Sequence, residues 1–330
     1  MTLTPTPSTD WHENVAPDEA QRHAAFSDQI QRLQTKLNGK YGPGRAFHRQ
    51  QIAGVSGELT VTATDPELRR GLFAREGSLS ALIRMSHGAL APHPDPVPDI
   101  QGFAISVRGI DGPGALAETT DRQDFLLINR PSFGFPTSEE FADIAVPAGK
   151  GPAELTAHLL AAKGPVSGPL ELARLTKDLL RPFWGFATTT FYSAAPIAYG
   201  PYAAKVRLTP IDADRDLTAA KDFHADIGDR LRNGPLRFDL EVQFFVSEDV
   251  TPIEDQRNEW PQDRSPFHPV ARLTIPQQDI DSEAGQQLAD EIEHDRFDPW
   301  NALTDHRPLG EIMRARKVAY YPSVMNRGAD

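Results

Sequence analysis

Residues 297–328 read "FDPWNALTDHRPLGEIMRARKVAYYPSVMNRG", and within them "RARKVAYYPSVMNR", from Arg314 to Arg327, sets two adjacent tyrosines among several arginines. A solvated tail has little use for such a pair. A helical reading of "GEIMRARKVAYY" puts Arg316 and Tyr320 four residues apart, so that their side chains meet on one helix face. An arginine so placed can donate hydrogen bonds to a phenolate, and a phenolate is a hard anionic ligand suited to ferric iron. The same spacing also suits an arginine stem packed on a surface aromatic ring, so the rest of the chain has to decide. Register favours Tyr320 over Tyr321, because four residues before Tyr321 stands Lys317, which lacks the planar fork of arginine.

The chain has 330 residues, 34 basic against 46 acidic, for a net charge of -12. That balance opposes binding to the phosphate backbone of nucleic acids or to an anionic membrane surface and favours a small partner. Cysteine is absent, so disulfides, thiolate metal sites and cysteine nucleophiles are excluded, and a metal must be held by nitrogen or oxygen. The N-terminal stretch lacks a basic region followed by an apolar run, and no window approaches the roughly 20 apolar residues of a membrane span. We expect a soluble, cytoplasmic protein.

Residues 1–16, rich in Thr, Pro and Ser, read as a flexible arm, and residues 17–330 as a single domain. A helix is expected from Asp18 as cap through Phe26, Ile30, Leu33 and Leu37, with a stop at Asn38-Gly39. In "ELTVTATD" Leu59, Val61 and Ala63 alternate with polar residues as in a half-buried strand. Further strands are expected in "GFAISVRGI", "DFLLINR", "ATTTFYSAAPIAY", "AAKVRLTPI", "RFDLEVQFFVS" and "VARLTI", with helices in "PAELTAHLLAAKG" and "PLELARLTKDLLRPF". Many strands at irregular spacing, with helices inserted but no regular alternation, imply the α+β class: an antiparallel sheet or barrel with helical excursions. The 29 prolines point to long ordered loops such as "HPDPVPD".

The segment at 297–328 resembles the proximal segment of haem catalases, where an "FDP" stretch leads into a helix bearing Arg-x-x-x-Tyr and the tyrosine ligates the haem iron. "RAFHRQQIAGVSGELTV" is similar to the family's distal segment, and "ALIRMSHG", "DIQGFAISVRGIDG" and "DFLLINRPSFGFP" to the blocks that follow it. Together these matches touch most of the chain from about residue 40 onward. The resemblance implies an antiparallel eight-stranded β-barrel with surrounding helices, and haem b as cofactor. It makes Tyr320 the metal ligand, Arg316 its partner, His48 the distal acid-base and Ser86 the residue that orients it. His87 is a rival base, ranked lower because strand alternation turns it away from Ser86. Gly54 and Gly57 would let the chain turn close to the cofactor. The family places propionate-binding arginines three residues before the histidine, two before the serine and seven after the tyrosine; Arg45, Arg84 and Arg327 stand at those offsets.

The pattern also departs from the family. Arg122 or Gln123 aligns with the asparagine that large catalases set over the haem, with Asn129 too far along, and Gln101 replaces a usual arginine. Gly88 replaces a channel valine and is expected to widen the approach to the iron. The chain is shorter than a large catalase and lacks the C-terminal helical region. The resemblance therefore implies a haem peroxidase that reduces hydrogen peroxide or organic hydroperoxides while oxidising an organic donor, with weak catalase activity. The alternatives are a fatty-acid hydroperoxide-rearranging enzyme and a non-catalytic haem-binding or peroxide-sensing protein. A homodimer is compatible with this reading.

Overall fold

The computed structural model describes residues 3, 5–211 and 221–328. Within them run the antiparallel strands β1 (Gln51–Val61), β2 (Ser78–His87), β3 (Gln101–Pro113), β4 (Thr119–Ile128), β5 (Phe191–Tyr192), β6 (Ile197–Tyr199), β7 (Tyr202–Ile211), β8 (Leu236–Phe244) and β9 (Phe267–Ile275). Their order is β5-β4-β3-β2-β1-β9-β8-β7-β6. Short β5 pairs on one side with β4, Ile128 opposite Tyr192, and on the other with β7, Phe191 opposite Leu208. That double pairing closes an eight-strand ring, while β6 occupies the remaining part of the same edge of β7. The class is α+β and the architecture an antiparallel eight-stranded β-barrel with helices around it.

Alternation explains the barrel's interior. Ile83 and Met85 of β2, Phe103 and Ile105 of β3, and Phe125 and Leu127 of β4 point inward with Leu208, Phe238, Leu240 and Leu273 into one buried cluster. Strand β1 begins at Gln51, well before the alternating stretch that announced it, because "QIAGVSG" pairs with β2 over its length although its glycines carry no alternation signal. The single strand expected over "ATTTFYSAAPIAY" is divided into β5 and β6 by a loop in which Ala194 holds a positive φ of 58°.

Six helices pack outside the ring in the described residues: α1 (Glu19–Tyr41), α2 (Ser138–Ala148), α3 (Pro152–Leu179), α4 (Phe223–Asn233), α5 (Glu283–His294) and α6 (Glu311–Asn326). Helix α1 buries Phe26, Ile30, Leu33 and Leu37, but it runs past Asn38-Gly39 and stops at Gly42, whose φ of 82° suits glycine. Asp18 makes no side-chain capping bond there. The two helices expected within residues 152–183 form one run broken at Gly164, φ 81°, ahead of Pro165. Helices α2, α4 and α5 were not anticipated, although each carries a start signal: Thr137, Asp222 and Ser282 accept bonds from the amides three residues on.

Helix α6 is fixed at its first turns. Glu311 accepts bonds from His23 (3.0 Å) of α1 and from Ser138 Oγ (2.7 Å) of α2. Arg314 meets Glu13 and Glu19 at 2.6 Å and Glu254 at 3.1 Å. Glu13 belongs to the segment expected to be a flexible arm; in the structure Glu13 also binds Arg307 at 2.7 Å, and Trp11 donates to the Pro201 carbonyl. Around α1 and α6, Phe26, Ile30, Ala315 and Ala319 share a small apolar cluster.

The entry to α6 depends on Gly310, φ 89°, where a Cβ would lie 2.8 Å from the Ile253 carbonyl oxygen. Substitution Gly310→Ala combines a left-handed backbone with a clash against rigid backbone, and is expected to cost about 1–3 kcal/mol. Urea unfolding of the variant measures this; a midpoint equal to wild type would contradict it.

Candidate active site

The strand residues that do not face the barrel interior build one wall of a cavity of about 290 Å³. Arg84 sits opposite Ala104, Ser86 opposite Gly102, and these in turn face Leu126 and Ile128 across β4, so that a patch three strands wide points outward. Helix α6 contributes Met313, Arg316, Tyr320 and Ser323, and its C-cap adds Arg327, at the three- and four-residue steps of one helix face. The loop before β1 adds Arg45, Phe47 and His48. All seven site residues expected from sequence, Arg45, His48, Arg84, Ser86, Arg316, Tyr320 and Arg327, therefore line this cavity.

His48 holds a φ of 53°, and it and Ala194 are the positive-φ residues other than glycine among the described residues. Both line the cavity, and strained backbone of this kind gathers at functional sites. His48 Nδ1 lies 3.1 Å from Ser86 Oγ. Room for the pair comes from Gly102, where a Cβ would stand 2.4 Å from His48 Nδ1 and 2.9 Å from Ser86 Oγ. Burial pushes the His48 imidazole down to about 4; Asp99 opposes this, while Arg84, Arg316 and Arg45 reinforce it. At neutral pH the ring is uncharged and can accept a proton.

On α6, Arg316 Nη2 donates to Tyr320 Oη, and the guanidinium carbon lies 4.9 Å from the centre of the tyrosine ring. Tyr321, one residue further, is 58% exposed and off the cavity. At another edge, Arg45 meets Glu293 at 2.6 Å and Arg84 meets it at 2.7 Å, while Arg327 donates to the Glu293 and Asp295 carbonyls at 3.1 and 2.8 Å. The Asp295 carboxylate is engaged elsewhere, by Arg108 and Arg122. Arg45 and Arg84 thus share one carboxylate while Arg327 beside them, among the described residues, meets only backbone carbonyls, so three guanidiniums stand around a single carboxylate and two positive charges are in surplus. Burial and the neighbouring Arg84 hold the Arg45 guanidinium well below its ordinary range. Such a cluster is suited to a ligand carrying two anionic groups.

Other expectations need correction. Gly54 and Gly57 do not approach the cavity: Gly54 lets α5 close in, with Ala289 Cα 2.9 Å from a Cβ position, and Gly57 packs on Ile83. Gly88 lines the cavity but does not widen it, since a Cβ there would strike the Ile100 carbonyl oxygen at 2.5 Å; glycine is required for close strand approach. His87 is fully buried away from the cavity, with Nε2 2.8 Å from Asp95. Arg122 binds Asp295, Gln123 accepts from the Leu303 amide, and Asn129 accepts from the Gln101 amide, so none of them supplies an amide over the cavity. From β4 the cavity receives Leu126, Leu127 and Ile128. Sequence reading missed Glu293, whose acidic signal is one among many in "DEIEHD", and Gly102, which shows its role only beside His48.

A closed antiparallel barrel with helices on its outside and a cavity between them is the architecture of catalases, and comparison with known proteins agrees. The chain is 28% identical over 303 residues to a catalase-related peroxidase of Mycolicibacterium paratuberculosis (strain ATCC BAA-968 / K-10), covering 86% of this chain and 90% of that one. Among solved structures it superposes on a fungal catalase with a TM-score of 0.69 at 16% identity, over 96% of this chain and 64% of that one. Catalase A from Saccharomyces cerevisiae gives 0.69 at 16% identity over 100% and 70%. A bacterial catalase gives 0.68 at 18% over 98% and 63%. The chain thus spans less than two thirds of the fungal and bacterial catalases. No family model matches the sequence. The chain thus has the fold of the catalases. No helix among the described residues is long and apolar enough to cross a membrane.

The neutral state of the half-buried His48 has a consequence for stability. Its folded value, about 4, lies below the ordinary 6.5, so protons prefer the unfolded chain; its contribution is complete above about pH 6.5 and is lost as pH falls through 4. Relative to His48→Gln, which does not titrate, the wild type should lose roughly 2–3 kcal/mol of stability advantage between pH 7 and pH 4. Urea unfolding of both proteins at a series of pH values checks this, and a constant difference would contradict it.

Proposed function

We propose that this chain is a haem-dependent peroxidase, with haem b seated between α6 and the outward face of β2–β4. The observation that carries the reading is the convergence on one cavity of a hydrogen-bonded His48–Ser86 pair, an Arg316–Tyr320 pair and three arginines with two charges to spare. Those arginines would hold the two propionates of haem, and Tyr320 would offer its phenol oxygen to the iron, the ligand type of catalases. The donor set thus fits the group without calling on residues outside the cavity. Haem iron supplies the two-electron chemistry by which a peroxide O–O bond is divided.

The protein's own part is proton handling and exclusion of water. Neutral His48 takes the proton from one peroxide oxygen and returns it to the other, converting that oxygen into a better leaving group. Ser86 holds Nδ1, which leaves the second ring nitrogen for the substrate. Arg316, donating to Tyr320 Oη, keeps the phenol oxygen's charge compensated. The remaining lining is largely apolar: Phe47 and Phe133 each pack on Phe141, with ring centres 5.2 and 5.3 Å apart, and Leu126 and Ile128 close the β4 side. A largely apolar wall of this kind favours an organic hydroperoxide or an organic donor over dismutation of hydrogen peroxide. The printed name of the mycobacterial relative, a catalase-related peroxidase, supports the same class.

Haemin titrated into the purified chain should bind one equivalent and give the Soret band of a tyrosinate-ligated ferric haem; a chain that takes up no haemin ends the reading. Tyr320→Phe is expected to release haem under conditions where wild type retains it, and an unaltered spectrum would assign the ligand elsewhere. His48→Ala should keep haem but consume peroxide about 100-fold more slowly, the usual scale for a general acid-base. Equal turnover would remove His48 from the chemistry.

A further inference from the structure

We propose that His87, His93 and Asp99 form a binding site for one divalent transition-metal ion of the zinc type, beside the cavity but separate from the haem seat. His87 ends β2, and the other two lie on the loop "GALAPHPDPVPDI", residues 88–100, that joins it to β3. Their ligand atoms lie within 4.8 Å of one another. Asp99 Oδ2 stands 3.1 Å from His93 Nε2 and 3.9 Å from His87 Nδ1. A tetrahedral zinc ion with ligands at about 2.0–2.1 Å separates them by roughly 3.4 Å, between those two distances.

The outer contacts decide which nitrogen faces inward. His87 Nε2 donates to Asp95 Oδ1 at 2.8 Å, and Asp95 is itself held by the Phe223 amide. That bond fixes the tautomer and leaves Nδ1 with a lone pair, buried, without a hydrogen-bond partner and directed toward Asp99. His93 Nδ1 donates to the Pro94 carbonyl at 2.9 Å and Nε2 is hydrogen-bonded to Asp99 Oδ2 at 3.1 Å, so that a metal ion would take the place of the proton between Nε2 and the carboxylate. The unpartnered His87 Nδ1, His93 Nε2 and the Asp99 Oδ2 to which Nε2 is hydrogen-bonded therefore converge on one point at the edge of the fold. A fully buried ring nitrogen such as His87 Nδ1 is costly to leave without a partner, and a cation among these three residues would supply one. A carboxylate behind a ligating histidine is the usual support of a zinc site.

The loop is prepared for this geometry. Pro92, Pro94, Pro96 and Pro98 restrict its backbone, and Asp99 is aimed by the amides of Ala89 (2.8 Å) and Ile100 (2.7 Å). Two imidazoles and one carboxylate select zinc and its neighbours over magnesium or calcium, which prefer oxygen. Because Gly88, Asp99 and Ile100 also line the cavity, an ion at this position would clamp the loop that forms that part of its wall.

The test uses the full-length chain, dialysed against EDTA and titrated with zinc chloride alone, with iron and zinc counted separately by elemental analysis. One zinc should bind per chain and raise the thermal midpoint. His93→Ala alters a partly exposed side chain and should fold as wild type by circular dichroism, yet bind zinc at least 100-fold more weakly and lose the thermal shift. Asp95→Asn, acting through His87, should weaken binding about 10- to 100-fold. Zinc uptake below one equivalent, equal affinity in His93→Ala, or equal affinity of wild type for magnesium would each overturn the proposal.

Discussion

Everything around the cavity depends on the two-residue alternation of β2, β3 and β4. One face of these strands is committed to the barrel interior through Ile83, Met85, Phe103, Ile105, Phe125 and Leu127. The other face is consequently available, and its residues Arg84, Ser86, Gly102, Ala104, Leu126 and Ile128 meet α6 across a space instead of packing against it. A one-residue slip in register would send every one of these side chains to the opposite side, so the core that holds the barrel together also holds the outward patch in place. Gly102 illustrates the coupling, since its position opposite Ser86 is what leaves room for the His48 ring.

Charge is distributed on the same principle of fixed positions. Arg314, the most heavily paired arginine of α6, is surrounded by Glu13, Glu19 and Glu254 and serves to pin the helix to the N-terminal segment, α1 and a loop. One helical face away, Arg327 joins Arg45 and Arg84 around Glu293, where cations outnumber the carboxylate. The first group is balanced and structural; the second keeps a positive surplus next to an apolar cavity, the condition under which a dianionic ligand gains most. The difference cannot be seen from residue type, because both groups consist of arginines and glutamates.

Legibility followed the range of the interaction. Arg316 and Tyr320 meet through helical spacing alone, and the α+β class followed from periodicity and irregular strand spacing. The barrel closure was legible only through resemblance, since the closing strand β5 has two residues and no pattern of its own. Helices α2, α4 and α5 escaped because their apolar stripes are short, although their capping residues were present. Gly88 was misread as a widening of the channel for a related reason: what a missing side chain leaves behind depends on what moves into the space, and here Ile100 does.

By itself the sequence determined the local pairs and the class of fold, and its resemblance to haem catalases implied which arginines belong near which histidine, serine and tyrosine. Only the tertiary structure decided that these residues, spread from position 45 to 327, line one cavity, that Glu293 lies among the arginines, and that His87 turns away toward His93 and Asp99. The physical reason is that periodicity encodes which face of an element is apolar, whereas the neighbour that a polar face finds is set by strand register and helix docking across hundreds of residues of chain.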